Sequence, residues 1–377
     1  MPLSSAQVDI RRVLGLVLAL LLLAGVGGGI WYSRRTLTHD RAAALTAAAS
    51  ATVRGLIGSE KDAYFADSRV IAALAKHGLT VHVEKAGSRS IAQSYDPKRY
   101  DFGFPSGAPA ASELKAAAKA SETFVPFYTP IVLASWKPIA GILSANAIVE
   151  QRGSDYFVTD LPKLLDLIDR RTRWRDLKNS GAFATNKAVL INSTDVRTSN
   201  STAMYLALAS YIVNNQSVVS SQADVDLVMT KVADLFVRQG FQEASSSGPF
   251  EDYLALGMGK TPLLVTYESQ LIAFWLSHPD KIRGDMVMLY PIPTVYSKHV
   301  LVPYTPSGRR VGEALTTDPE LQALAREFGF RTGGNEKGPE VWAKRGIAVP
   351  DALTDIVDPP SQEWLEKLIA SIEQRFK

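Results

Sequence analysis

The chain is predicted to be α/β, with parallel strands, behind one N-terminal transmembrane helix. Three features of its 377 residues carry that expectation. From residue 52 onward, short β-branched runs alternate with apolar residues at helical spacing. Such alternation points to strands joined by helical crossovers. Ahead of it, Val13 to Ser33 holds no charged residue and includes the run Leu16 to Leu23. At about 1.5 Å per residue that stretch matches the roughly 30 Å of a bilayer core. The third feature is the charge. The formal net charge is +3, and five arginines against two aspartates before residue 45 account for all of it. The remainder is neutral.

Residues 13–33 read as an uncleaved anchor. Arg11 and Arg12 precede them, Arg34 and Arg35 follow, and Gly27-Gly28-Gly29-Ile30-Trp31-Tyr32 closes the run with two aromatic residues suited to the interface. A cleaved signal peptide is the competing reading, but it has a shorter apolar core and a small-residue cleavage site. A buried core helix fits three consecutive glycines and flanking arginines poorly. The simplest topology keeps the short tail inside and exports the rest. Residues 34–51 are Ala-rich and read as a linker.

The remaining elements follow in order. Val53 to Gly58 is a strand, Asp62 to His77 a helix stopped by Gly78, and Leu79 to Val83 a second strand. A short helix opens at Gly87 to Ser90. Tyr100 to Phe104 is a strand and Ala108 to Ala120 a helix. Phe124 to Leu143 contains Pro126, Pro130 and Pro138, and reads as extended chain broken by turns. Helices are expected over Asp160–Arg171, Ala203–Val213, Asp224–Gln239, Ser269–Leu276, Pro319–Phe328 and Gln362–Phe376. Strands are expected over Ala188–Asn192, Pro262–Tyr267, Met286–Tyr290 and Tyr296–Val302.

Composition removes several function classes. There is no cysteine, which excludes disulfides, Cys-ligated zinc, Fe–S clusters, a thiol nucleophile and a lipidated N-terminal Cys. A neutral exported portion lacks the basic face that nucleic-acid binding needs. His39, His77, His82, His278 and His299 show no metal-ligand spacing, so no metal or other cofactor is expected. Gly257 to Thr261 resembles the end of a P-loop, but Leu254 stands where glycine is required and a strand, not a helix, follows.

Chemistry concentrates in three loops that pass from strand to helix: Gly58-Ser59-Glu60-Lys61, Gly87-Ser88-Arg89-Ser90 and the polar run Ser193 to Thr202. Helix starts present free N–H groups and partial positive charge. Serine and threonine add hydroxyl donors, and arginine adds a bidentate fork. Each loop alone is equally well explained by the preference of Ser, Thr and Asp for N-caps. Three together, at the carboxyl ends of strands where α/β proteins hold ligands, point to a site.

These loops and their order resemble type 2 periplasmic solute-binding proteins, the extracellular substrate-binding proteins of ABC importers, which include molybdate, sulfate and phosphate binders. The likeness spans about residues 52–332. It rests on the loops at 58–61 and 87–89, Tyr100 to Ser106, the run 193–202, Val265 to Ser269, Tyr290 to Pro293, and Gln322 with Phe328-Gly329-Phe330. The resemblance implies a two-lobed fold, with lobe one at 52–128 and 293–377 and lobe two at 129–292. Two strands would cross between them, near Phe124–Leu133 and Leu289–Pro293.

The implied function is capture of a small anionic ligand in the interlobe cleft, for an ABC-type permease, by a protein tethered outside the cell membrane. Carried over position by position, Ser59, Lys61, Ser88 and Ser106 would present donors from lobe one, and Thr129 would sit at the hinge. Thr198, Ser199, Asn200 and Ser201 would donate from lobe two, near Tyr267. Arg89 and Arg197 would pair with the ligand's charge. Glu60 and Glu268 depart from an anion site, because each would repel the ligand unless Lys61 or an arginine neutralises it. A zwitterionic or organic ligand is the alternative. A scaffold or sensor that engages a protein partner through the same fold is the second function considered. An enzyme is not expected, because no acid/base pair or nucleophile–base spacing is visible.

Overall fold

The computed structural model describes residues 50–153, 156–240, 242–244, 246–282, 284–333 and 338–376. The expected anchor at 13–33 and nearly all of the linker lie outside them. Among the described residues no helix is long and apolar enough to cross a membrane.

β1 (Ala51–Ile57) pairs in parallel with β2 (Leu79–Lys85) and β3 (Phe102–Phe104). The single helix expected between β1 and β2 is instead two: α1 (Asp62–Ala66) and α2 (Ser68–Lys76). Asp67 separates them. It is extended, and its carboxylate accepts the Arg69 N–H at 2.7 Å. That bond caps a new helix and competes with continuation of the old one. α3 (Ser88–Gln93) and α4 (Ala108–Ala118) follow β2 and β3.

β4 (Phe124–Trp136) spans both halves of the molecule. Residues Phe124 to Pro130 pair antiparallel with β9 (Tyr296–Pro303) and β10 (Arg331–Thr332). Residues Ile131 to Trp136 pair with β7 (Leu264–Tyr267) and β8 (Met286–Ile292). β8 runs on through Pro293 to Val295 into β9, so a second stretch of chain joins the halves. The extended chain expected as far as Leu143 ends at Trp136, where α5 (Lys137–Ala145) begins with Pro138 in its first turn. Proline there removes an N–H that would have been unpaired anyway.

β5 (Val149–Arg152) and β6 (Tyr156–Asp160) form a hairpin beside β8, followed by α6 (Leu161–Asp169). The strand expected at 188–192 makes only isolated bridges, from Ala188 to Arg173 and from Asn192 to Leu264. Four helices follow in this half: α7 (Asn200–Val213), α8 (Gln222–Val237), α9 (Ser247–Leu256) and α10 (Glu268–Ser277). The chain ends with α11 (Pro306–Thr317), α12 (Pro319–Glu327), α13 (Gly338–Ala343) and α14 (Gln362–Glu373).

Each half has its own core. Val53, Ile57, Tyr64, Phe102, Phe104, Phe127, Leu301 and Leu321 fill the first. In the second, β4 is buried on both faces. Ile131 and Leu133 face Leu164, Met204, Leu206, Val228 and Phe236, whereas Val132 and Ala134 face Leu271, Trp275 and Trp342. This continuous apolar run is what a sheet covered on both sides requires. α14 packs Leu365, Leu368, Ile369 and Ile372 into that second core. Burial of such side chains stabilises by about 1.5–3 kcal/mol each before entropy is counted.

Candidate functional site

The carboxyl ends of β1, β2 and β3 face the second half. After β1 the chain tightens at once into a 3-10 turn, Ser59–Lys61. The turn directs the Lys61 side chain inward, where it is fully buried, and leaves that of Glu60 only 5% exposed. Gly58 makes room for this. A Cβ there would stand 2.7 Å from Glu60 Oε2 and closer still to Oε1 and Ser106 Oγ.

Lys61 Nζ is bound directly to Glu60 Oε1, donates to Ser106 Oγ at 2.8 Å, and lies 3.0 Å from His299 Nδ1. Ser106 Oγ donates to the same Glu60 oxygen. Burial alone would raise the Glu60 carboxyl. The Lys61 charge, with hydrogen bonds from Lys61 and Ser106, outweighs it and holds the group at about 2. Burial also lowers the Lys61 ammonium, with Glu60 opposing. His299 is pushed well below its ordinary value by burial and then by the Lys61 charge, so it is a neutral imidazole. The cluster is an ion pair with a neutral ring beside it.

Ser106 ties three elements together. Its N–H donates to Ser88 Oγ at 2.9 Å, and its carbonyl accepts from Asn200 Nδ2 at 2.8 Å and from Ser297 Oγ. Asn200 is the first residue of α7, so it reaches across from the second half. Its amide nitrogen also contacts Tyr267 Oη and Ser297 Oγ, each at 3.1 Å. Tyr267 is buried, and burial followed by the nearby Glu60 charge raises its hydroxyl, which stays neutral.

A cavity of about 340 Å³ lies between the halves. From the first half it is lined by Gly58, Ser59, Glu60, Lys85, Gly87, Ser88 and Ser90. From the second come Thr198, Ser199, Asn200, Ser246, Ser247 and Tyr267. Two of the helices that start here, α7 and α9, lack a side-chain cap, as do α4, α5 and α14 elsewhere. Ser199 sits at the N-cap of α7, yet its hydroxyl contacts Ser201 Oγ at 3.0 Å instead. No side-chain cap takes the first-turn N–H groups of α7, which leaves them for another acceptor. A separate cavity of about 250 Å³, away from the cleft, is floored by Leu165, Ile168, Val232 and Leu235.

The twelve residues expected at the site separate into three groups. Ser59, Ser88, Thr198, Ser199, Asn200 and Tyr267 line the cavity. Lys61, Ser106, Thr129 and Ser201 are buried around it. Thr129 Oγ1 accepts the Ser269 N–H at 3.1 Å, and Ser201 Oγ lies 3.2 Å from Thr194 Oγ1. Arg89 and Arg197 do not line it. Arg89 pairs with Glu366 of α14 at 2.6 Å and donates to the Arg197 carbonyl at 3.3 Å. Arg197 pairs with Asp195 at 2.5 Å and faces the Phe376 ring.

Glu268 is neutralised by an arginine that the sequence reading did not identify. Arg331 donates to both of its oxygens, at 2.7 and 2.8 Å, and Tyr290 adds a third hydrogen bond at 2.7 Å. Glu60, Ser297 and His299 belong to the site but were not among the expected ligand-binding residues. Only Glu60 had a usable signal, its place in the first loop. Among the described residues no cluster of three or more His, Asp or Glu side chains could hold a metal.

No family model matches the sequence, and no curated protein matches it. Solved structures do. Apo ferric ion-binding protein A from Pasteurella haemolytica superimposes with a TM-score of 0.54 at 10% identity, over 86% of this chain and 98% of that one. Iron-bound HitA from Pseudomonas aeruginosa gives 0.52 at 12% identity, over 86% and 99%. An ABC transporter solute-binding protein from Thermotoga lettingae, bound with α-D-tagatose, gives 0.51 at 14% identity, over 87% and 94%. The chain has the two-lobed α/β fold of type 2 periplasmic solute-binding proteins.

Proposed function

We propose that this chain is an extracytoplasmic solute-binding protein that traps a small polar solute between its lobes for an ABC-type importer, tethered by residues 13–33. The observation that carries the reading is the interlobe cavity and its closure by Asn200, which reaches from α7 to the Ser106 carbonyl. A ligand that contacts both halves favours the closed arrangement by its differential affinity, which is all that such a protein needs. The lobes we assign are 52–128 with the chain from 293, and 129–292, with α14 laid over the second.

The reading gives Arg89 and Arg197 no ligand, because each is held by a carboxylate outside the cavity. The solute is held instead by Ser59, Ser88, Thr198, Ser199, Asn200 and Tyr267, with Lys61, Ser106, Thr129 and Ser201 as support behind them. An occluded cleft would have favoured a scaffold that binds a protein partner, and the open cavity does not. The test is to denature protein purified from rich medium and identify released small molecules by mass spectrometry. We expect one polar solute in near-stoichiometric amount, lost in Asn200→Ala. No solute, either co-purified or captured from a metabolite extract, would refute the reading.

A further inference from the structure

We infer that the solute is neutral and polyhydroxylated, and that Glu60 is the residue that reads it. The inference rests on the solute-binding reading and concerns the same cavity. Glu60 Oε1 accepts from Lys61 and Ser106, but among the described residues no protein donor reaches Oε2. The side chain lines the cavity while only 5% exposed. That oxygen is accessible from the cavity, so a ligand that displaces water from it has to supply a donor in its place.

Charge decides which kind. Glu60 is already neutralised by Lys61, and a bare oxyanion would find no unpaired cation among the described residues that line the cavity. Arg89 is held by Glu366 and Arg197 by Asp195, while Lys85, at the rim, is held by Asp62 at 2.9 Å. An ammonium group would share the carboxylate with Lys61, whose own charge already neutralises it and would repel a second cation. A hydroxyl meets neither obstacle. It donates to Glu60 Oε2, and its oxygen accepts from the uncapped start of α7. The rest of the lining is of the same character, since serine, threonine, asparagine and tyrosine side chains both donate and accept. A volume of about 340 Å³ lies within the ordinary range for organic-ligand pockets.

The experiment is isothermal titration of the full chain with D-tagatose, D-glucose, maltose and myo-inositol, and in parallel with sulfate, phosphate, L-glutamine and glycine betaine. At least one polyol should bind, with an affinity unchanged between about 20 and about 500 mM NaCl because the ligand is uncharged. Glu60→Gln should weaken it about tenfold or more. The salt series keeps the test valid if that variant does not fold. Binding of an oxyanion, L-glutamine or glycine betaine that Asn200→Ala abolishes would overturn the polyol assignment while leaving the solute-binding reading intact. So would polyol binding that Glu60→Gln leaves unchanged. Binding by none of the eight would overturn this inference and count against the reading beneath it.

Discussion

Replacing Gly87 with alanine should act on the closed arrangement alone. Gly87 has φ −64° and ψ 148°, an extended backbone that alanine adopts without strain. Its added Cβ would stand 3.3 Å from the Thr198 carbonyl carbon and well inside contact distance of the oxygen. Thr198 lies in the opposite half, so its backbone cannot rotate out of the way as a side chain could. The halves must separate by several tenths of an ångström, about the scale at which overpacking costs 1–3 kcal/mol. Because that cost falls only on the closed form, the closed-to-open ratio should drop by about fivefold to about 150-fold. Each half should keep its stability, or gain about 0.4–1 kcal/mol from the lower entropy of the unfolded chain. The chain has no cysteine, so spin labels can be placed at Lys98→Cys and Ala223→Cys without background. Pulsed electron resonance should then show a longer label-to-label distance in the Gly87→Ala protein, with the urea midpoint not lowered. Identical distance distributions for Gly87→Ala and its parent would refute the argument that the cleft is closed by this contact.

Acid should destabilise the fold in two stages. His299 and Glu60 both have folded values below their unfolded ones, so the unfolded chain binds more protons and stability falls as pH is lowered. The His299 contribution is lost from about pH 6.5 downward, and that of Glu60 between 4.5 and about 2. Each proton adds a slope of up to about 1.4 kcal/mol per pH unit. Urea midpoints across pH should show both stages, and His299→Gln should flatten the first; a midpoint constant from pH 7 to pH 5 would contradict this. Arg331→Met leaves the fully buried Glu268 without its cation and should cost about 3–5 kcal/mol, while Glu268→Gln with Arg331→Met should recover most of that. A urea double-mutant cycle measures the coupling, and simple additivity of the two single losses would refute it.

Elements whose pattern is local were legible in the sequence. β1, β2 and α8 carry β-branched alternation or helical spacing within a few residues. α11 did not stand out, because Pro306, Gly308 and Gly312 interrupt its pattern and its buried face is little more than Val311, Ala314 and Leu315. Gly308 and Gly312 are there for packing: a Cβ on either would strike the Asp101 carbonyl or the Phe124 ring. That need is set by segments distant in the chain. α5 was hidden for a different reason. By sequence alone Pro138 looks like a break in extended chain, whereas its place in a first turn makes it a start.

The same distinction explains the site. Ser59, Ser88, Thr198, Ser199 and Asn200 were readable because a strand-to-helix turn fixes where a short side chain points. Arg89 and Arg197 were not, because a long side chain goes to whichever carboxylate is in reach. For Arg89 that carboxylate is on α14, which nothing near residue 89 announces. For Arg197 it was Asp195, two residues away, and the bond between them was legible in principle. His299 lacked any metal-ligand spacing because its neighbour is Lys61, 238 residues distant, and its role is to pack beside an ion pair. Charge in this molecule is therefore settled pairwise: Glu60 by Lys61, Glu268 by Arg331, Arg89 by Glu366 and Arg197 by Asp195. A neutral domain could have hidden a charged pocket by placing opposite charges far apart. Here the opposite charges meet within each pair, and the cavity is left to hydroxyls, helix starts and one carboxylate oxygen.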